Sequence, residues 1–226
     1  MAEFGLFEAI YSARAMRLFK PDPIPDEAIT RILDAAIRAP SAGNAQHWAF
    51  VVIRDPEQRR KIGAIYNKAS KVVGWFYTQR PAEMSEEQWQ RFIKSGSYLW
   101  EHMDEAPVLL LACLQPRARS TEGMPLDLLT KFNDALPRLQ RMAGASIYPA
   151  VQNIILTCRA LGLGTVLTTN HVVYEDEIKA VVGLPSEVQT YALMPIGYPR
   201  GKFGPVKRRP LAEVAFLDRW DNSWRG

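Results

Sequence analysis

Apolar residues recur three and four positions apart at Ile29, Ile32, Leu33, Ala36 and Ile37, the spacing of one buried helical face. Asp26 and Glu27 place negative charge at the start of that helix, where the helix dipole favours it, and Pro40 stops it. A second strong stripe, Ile147, Val151, Ile154, Ile155, Cys158 and Leu161, predicts a helix from Ser146 to Leu161 that ends at Gly162. Residues 3–13 predict a short helix, and Glu175–Val182 another, closed by Gly183. Between Lys20 and Pro25 three prolines force an extended chain. Strands are predicted at Trp48–Ile53, Val108–Leu114, Thr165–Thr168 and Thr190–Gly197, and Asp55 caps a helix that begins at Pro56. The middle is less periodic: Trp75, Phe76, Tyr77, Trp89 and Phe92 are mixed with charges, a helix is expected across about 86–104, and 115–145 holds a loop and a helical piece. Strands interleaved unevenly with helices give an α+β class, and no repeat or linker divides residues 1–226 into more than one domain.

Composition narrows the function little. Hydrophobic residues make up 47% and charged residues 23%, an ordinary globular balance. The net charge of +4 comes from 28 basic against 24 acidic residues. The basic residues are dispersed, apart from Arg59-Arg60-Lys61 and Lys207-Arg208-Arg209. A pocket for one or two phosphates accounts for the excess, and no nucleic-acid partner is expected. Cys113 and Cys158 each lie in an apolar run, so two buried thiols are expected, which suits a reducing cytoplasm. With no leader-like start and no apolar run of membrane length, the expected location is cytoplasmic and away from membranes. Three scattered histidines lack metal-ligand spacing, and there is no Gly-x-Ser-x-Gly elbow. Gly162-Leu163-Gly164 follows a helix and meets Leu167 where a third glycine would stand, so a dinucleotide fingerprint fails.

The segment Arg38-Ala39-Pro40-Ser41-Ala42-Gly43-Asn44-Ala45-Gln46-His47-Trp48 joins a helix to a strand. Its small residues let backbone approach a ligand, and Asn44 and Gln46 can tie the loop's own groups. The segment resembles the APSxxNxQPW stretch of the nitroreductase-like flavoproteins, with His47 in place of the usual proline. Arg14-Ala15-Met16-Arg17-Leu18-Phe19 resembles that family's Arg-Arg-Ser-x-Arg-x-Phe, with Ala13 and Ala15 replacing an arginine and a serine that donate to phosphate. Gly164-Thr165-Val166-Leu167-Thr168-Thr169-Asn170 resembles its strand and turn beside the flavin, and Lys207-Arg208-Arg209-Pro210-Leu211 its basic C-terminal patch. These matches cover residues 10–66 and 145–215 well and the middle hardly at all.

The resemblance implies a three-layer fold, a mainly antiparallel sheet flanked by helices, with residues from about 200 forming an extension that packs on a partner subunit. Phe203, Phe216, Leu217, Trp220 and Trp224 in that tail need burial, which a homodimer would provide. It also implies FMN as cofactor and NADH or NADPH as electron donor. Arg14 and Arg208 would contact the phosphate, Ala15 and Met16 would run beside it, and Arg17 would face the N1–C2=O edge of the ring. Pro40, Ser41 and Gly43 would line the neighbouring subunit's flavin. Leu167, Thr168, Thr169 and Asn170 would pass along the ring, one of the last three near N5. No side chain is expected to be a catalytic residue in its own right, since flavin carries the chemistry; His171 is read as structural. The acceptor would be a small nitroaromatic, quinone or similar flat molecule under a lid of Trp75, Phe76, Tyr77 and Trp89. Two further readings share the scaffold: a reductive dehalogenase of iodotyrosine type, which Glu105-Ala106-Pro107-Val108-Leu109-Leu110 resembles, or a flavin-fragmenting enzyme. The deiodinase's Glu-Tyr-Lys lid is not found in this chain. The non-enzyme alternative is a flavin-binding protein without turnover.

Overall fold

The computed structural model describes residues 4–77, 79–116 and 120–224. Helix α1 (Leu6–Ser12) leads through an extended stretch to α2 (Asp26–Ala36). There follow β1 (Trp48–Ile53), α3 (Pro56–Gly74), α4 (Glu86–His102), β2 (Val108–Leu114) and α5 (Leu126–Ala143). The order ends with α6 (Tyr148–Ala160), β3 (Gly164–Thr165), α7 (Glu175–Val182) and β4 (Gln189–Gly197). The strands pair antiparallel throughout in the order β1-β2-β4-β3.

Central strand β2 is buried along its whole length, and its alternation divides the interior in two. Val108, Leu110, Ala112 and Leu114 face a core with Ile32 and Ala36 of α2 and Val151 and Ile154 of α6. Leu109, Leu111 and Cys113 face the other core, with Ile62 and Tyr66 of α3, Leu99 of α4 and Ile178 of α7. Fully burying each such side chain contributes about 1.5–3 kcal/mol relative to leaving it in water. Helices on both faces of the sheet make the three layers that the sequence implies.

The local signals act as expected. Asp55 accepts from the Gln58 amide at 2.8 Å. Gly162 and Gly183 close their helices with φ of 74° and 67°, values that favour glycine. Both cysteines are free and buried, and burial pushes the Cys113 thiol up to about 12. Helix ends differ from expectation by a few residues, the most at α1, which starts at Leu6.

Strand β3 is shorter than expected: Val166–Thr168 leave the ladder, and Thr168 makes only an isolated bridge to Leu193. The register from Thr165↔Ile196 to Thr168↔Leu193 puts Val166 opposite Pro195, which has no N–H to donate. The tail also departs in part. Phe203 is packed against its own chain's core, whereas Trp220 is 84% exposed and stacks on Phe216. No helix among the described residues is long and apolar enough to cross a membrane.

Candidate functional site

At the β3 edge the segment after α1 runs beside the sheet, and the Met16 amide donates to the Thr165 carbonyl at 3.0 Å. Met16 turns inward under Gly164, where an added Cβ would lie 2.8 Å from the Met16 Cβ. Arg17 therefore turns the other way, into a cavity of about 210 Å³. Residues 166–170 and Tyr66 form one wall of this cavity; Phe92, Ile93, Gly96, Leu99 and Trp100 of α4 form the other, with Tyr77 at the side.

Arg17 is half-buried, and burial lowers its pKa from the ordinary arginine value, although a guanidinium stays charged. Its Nη1 donates to Ser95 Oγ at 3.3 Å, and no carboxylate among the described residues pairs with it. The cavity thus holds one desolvated positive charge and no acidic side chain among its lining residues.

The sheet-side wall is held by two side-chain hydrogen bonds. Asn170 Nδ2 donates to Ser70 Oγ at 3.1 Å, and Thr168 Oγ1 donates to the Leu193 carbonyl at 2.6 Å. The buried Tyr66 phenol stands beside both hydroxyls. Burial raises the phenol's pKa, so it keeps its proton at neutral pH. Thr168 and Asn170 are thereby committed to the wall, and Thr169 is the hydroxyl of this run left exposed.

His171 lies behind the wall, fully buried. Thr190 Oγ1 donates to Glu175 Oε1 at 2.8 Å, so His171 Nε2 donates to Thr190 at 3.1 Å, which leaves Nδ1 bare and without a partner. Burial lowers its pKa to about 4. It is neutral near pH 7 and does not line the cavity.

The other expected residues lie elsewhere. Arg14 lines a smaller pocket with Ala13, Arg159, Thr165 and Phe203, while Ala15 is exposed. Arg208 is exposed on the tail and donates to the Lys207 carbonyl at 3.0 Å, away from the linings of both pockets. Pro40, Ser41 and Gly43 contribute nothing to the Arg17 cavity. Their loop is held by Ser41 Oγ, which accepts from the Gln46 amide at 3.0 Å, and by Gln46 Nε2 donating to Asn44 Oδ1 at 3.2 Å. Gly43, Asn44 and Gln46 all have positive φ, strain that the side-chain ties maintain.

The lid differs from the aromatic set expected. Trp89 is buried under Phe92, with which it stacks at 5.5 Å, and Trp75 and Phe76 do not reach the cavity lining. Of the expected four only Tyr77 lines it, 5.7 Å from Phe92. Sequence reasoning passed over Tyr66 and Ser70. Two hydroxyls one turn apart on the buried stripe of α3 were the available signal.

The nitroreductase family model matches residues 10–198. The chain belongs to the nitroreductase family. Its match stops where the tail begins, and the sheet, the Arg17 segment and the cavity walls all lie within it. This nitroreductase-family chain is 28% identical over 212 residues to iodotyrosine deiodinase 1 of Rattus norvegicus, covering 92% of this chain and 67% of that protein. It is also 28% identical over 213 residues to an NADH dehydrogenase of Thermus thermophilus, covering 91% and 92%. A crystal structure of oxidized iodotyrosine deiodinase bound to FMN and 3-iodo-L-tyrosine superposes with a TM-score of 0.67 at 23% identity, covering 96% of this chain and 100% of that one. That likeness shows a common fold.

Proposed function

We propose that this nitroreductase-family protein is an FMN-dependent oxidoreductase that uses NADH or NADPH to reduce small, flat acceptors such as nitroaromatics or quinones. The observation that carries the reading is the desolvated, carboxylate-free Arg17 in a cavity walled by aromatics on one side and by residues 166–170 on the other. FMN, when bound, supplies the exchange of hydride between donor and acceptor. The cavity fits its ring in chemistry: a flat apolar body along Val166 and Leu167, and a polar edge toward Arg17 and Thr169.

The chain's own residues do the rest. Arg17 favours negative charge developing next to it, and does so more strongly because little water shares its cavity. Leu167 and Thr168 set one wall, and Thr169 or a neighbouring backbone group offers a hydrogen bond at the ring edge. Arg14 holds the phosphate, and Arg208 on the tail beyond Phe203 is an outer contact. Ala15 and Met16 supply backbone beside it. Pro40, Ser41 and Gly43 serve the second subunit of a homodimer, whose interface also covers the exposed aromatics of the tail. In this reading residues 1–226 are one domain with an extension from about residue 200, and the two free thiols suit a reducing cytoplasm.

A reductive dehalogenase is the second reading, favoured by the 28% identity to the rat deiodinase. An amino-acid substrate, however, carries an ammonium group, and the cavity lining offers it no carboxylate. The deciding experiment is the visible spectrum of the purified protein followed by anaerobic addition of NADPH or NADH. Oxidised-flavin bands that bleach rapidly, and return with a quinone or nitroaromatic, support the proposal. Bands that persist with both donors point to a binder without turnover or to dehalogenation driven by another reductant. Light scattering separates the assembly: a particle of twice 25.5 kDa is expected, and a 25.5 kDa particle that retains flavin would contradict the shared site.

A further inference from the structure

The helical wall of the Arg17 cavity has a bare place in it. Of the glycines inside α3 and α4, Gly63 and Gly74 are accounted for by what lies against them. An added Cβ would stand 3.2 Å from the Asp104 Cβ at the first and 2.9 Å from Trp100 Cη2 at the second. Gly96 has no such neighbour. It sits in the interior of α4, its φ is not left-handed, and an added Cβ would meet nothing within 4 Å. A glycine in a helix interior weakens the helix relative to alanine. The fold itself would therefore accept alanine here and gain by it.

Gly96 lines the Arg17 cavity, opposite residues 166–170. Phe92 and Trp100 stand one turn before it and one turn after it on the same face of α4. About 12 Å of helix separates the two aromatic positions, and between them the wall drops to bare backbone. The Trp100 end is fixed: its carbonyl accepts from Asn67 Nδ2 at 3.0 Å, and its indole rests on Gly74. The Phe92 end is looser, with a ring that is 38% exposed and stacks on Trp89.

The wall thus carries a slot with an aromatic ring at each end and a floor of helix backbone. None of the α4 residues that line it is charged. Its complement is a flat, uncharged ring system, which gains ring contacts at both ends. A fused two-ring molecule reaches from one end toward the other, and a single ring fills only part of the length. A side chain at position 96 would divide the slot and shut out the longer molecule first.

We propose that Gly96 sets the size of the acceptor, its missing side chain opening the slot between Phe92 and Trp100 to fused two-ring quinones. On the oxidoreductase reading, on which this rests for its chemistry, such a quinone gains a hydride that originates from NADH or NADPH and a proton from water. It leaves as the hydroquinone.

The test compares wild type with Gly96→Ala and Gly96→Leu in the reduction of 1,4-benzoquinone and of 2-methyl-1,4-naphthoquinone. In a ping-pong reaction kcat/KM for the acceptor excludes the donor step, so the ratio of the two values reads the slot. The preference for the naphthoquinone should fall about threefold in Gly96→Ala and about tenfold or more in Gly96→Leu. Gly96→Ala should meanwhile raise the melting temperature by about 2–3 °C. A ratio unchanged in both variants would overturn the proposal. So would a Gly96→Ala protein less stable than wild type, because the fold itself would then need the bare position. If wild type turns over neither quinone with either donor, the oxidoreductase reading fails, and equilibrium dialysis of 2-methyl-1,4-naphthoquinone against the resting protein judges the slot. Gly96→Leu should then bind it about tenfold more weakly than wild type; equal affinities, or no binding to either, would overturn the slot as well.

Discussion

The two walls of the Arg17 cavity are built by opposite means. The sheet-side wall is tied by hydrogen bonds: Asn170 donates to Ser70 of α3, and Thr168 donates to the Leu193 carbonyl of β4. The helical wall has few such ties; Phe92 stacks on Trp89 and meets Tyr77, with Arg17 to Ser95 as its cross-link to the other side. A satisfied buried network fixes positions to fractions of an ångström, whereas stacked rings slide at little cost. The contrast suits a cofactor whose edge needs fixed partners and an acceptor whose shape varies. Changes in the first wall should cost stability and cofactor together, and changes in the second should alter acceptor use.

The largest effect is expected where the first wall rests on Met16. Gly164→Ala puts a Cβ 2.8 Å from the Met16 Cβ and 3.1 Å from the Pro199 Cβ. Overpacking of this kind should cost about 2–3 kcal/mol in urea unfolding. A neutral result would mean that the edge is softer than the wall's role requires.

Next comes acid. His171 titrates at about 4 when folded and near 6.5 when unfolded, so the unfolded chain binds the extra proton between these values. Stability on this account is full above about pH 6.5 and falls as pH drops toward 4. From pH 7 to pH 5 the loss is about 2 kcal/mol. Urea curves at the two pH values for wild type and His171→Leu test it: the extra acid sensitivity should vanish in the variant.

Tyr66→Phe should cost about 1 kcal/mol, because it removes a buried phenol oxygen that sits among the Thr168 and Ser70 hydroxyls. In the second wall Phe92→Ala should leave FMN affinity within about twofold. It should raise KM for an aromatic acceptor by about three- to tenfold with kcat little changed, the size of one lost ring contact. If Phe92→Ala weakened FMN more than Tyr66→Phe did, the division of labour between the walls would be wrong.

The same contrast separates what the sequence made legible from what it hid. Strands β1, β2 and β4 and helices α2 and α6 follow from apolar periodicity, and Asp55, Gly162 and Gly183 mark their ends, since each acts through its near neighbours in the chain. Arg17 and residues 166–170 are legible through their family resemblance, and the structure brings them to one cavity. The Asn170–Ser70 and Thr168–Leu193 hydrogen bonds join residues far apart in the chain, so no local pattern could assign Thr168 and Asn170 to the wall rather than the ligand. Pro195 was visible as a residue, but its interruption of the β3 ladder depends on a register that only the folded sheet sets. In the lid, Trp89 and Trp75 look alike as aromatic residues; helix phase decides that one is buried at 8% and the other exposed at 75%.

The central claim is that the Arg17 cation stands where negative charge develops in the bound cofactor. A redox titration of FMN on wild type and Arg17→Ala, run beside an FMN affinity measurement on each, tests it most directly. The account predicts a lower midpoint potential in Arg17→Ala with most of the FMN affinity retained, because Arg14 and Arg208 remain to hold the phosphate. An unchanged potential with a collapsed affinity would contradict it and make Arg17 a phosphate ligand instead.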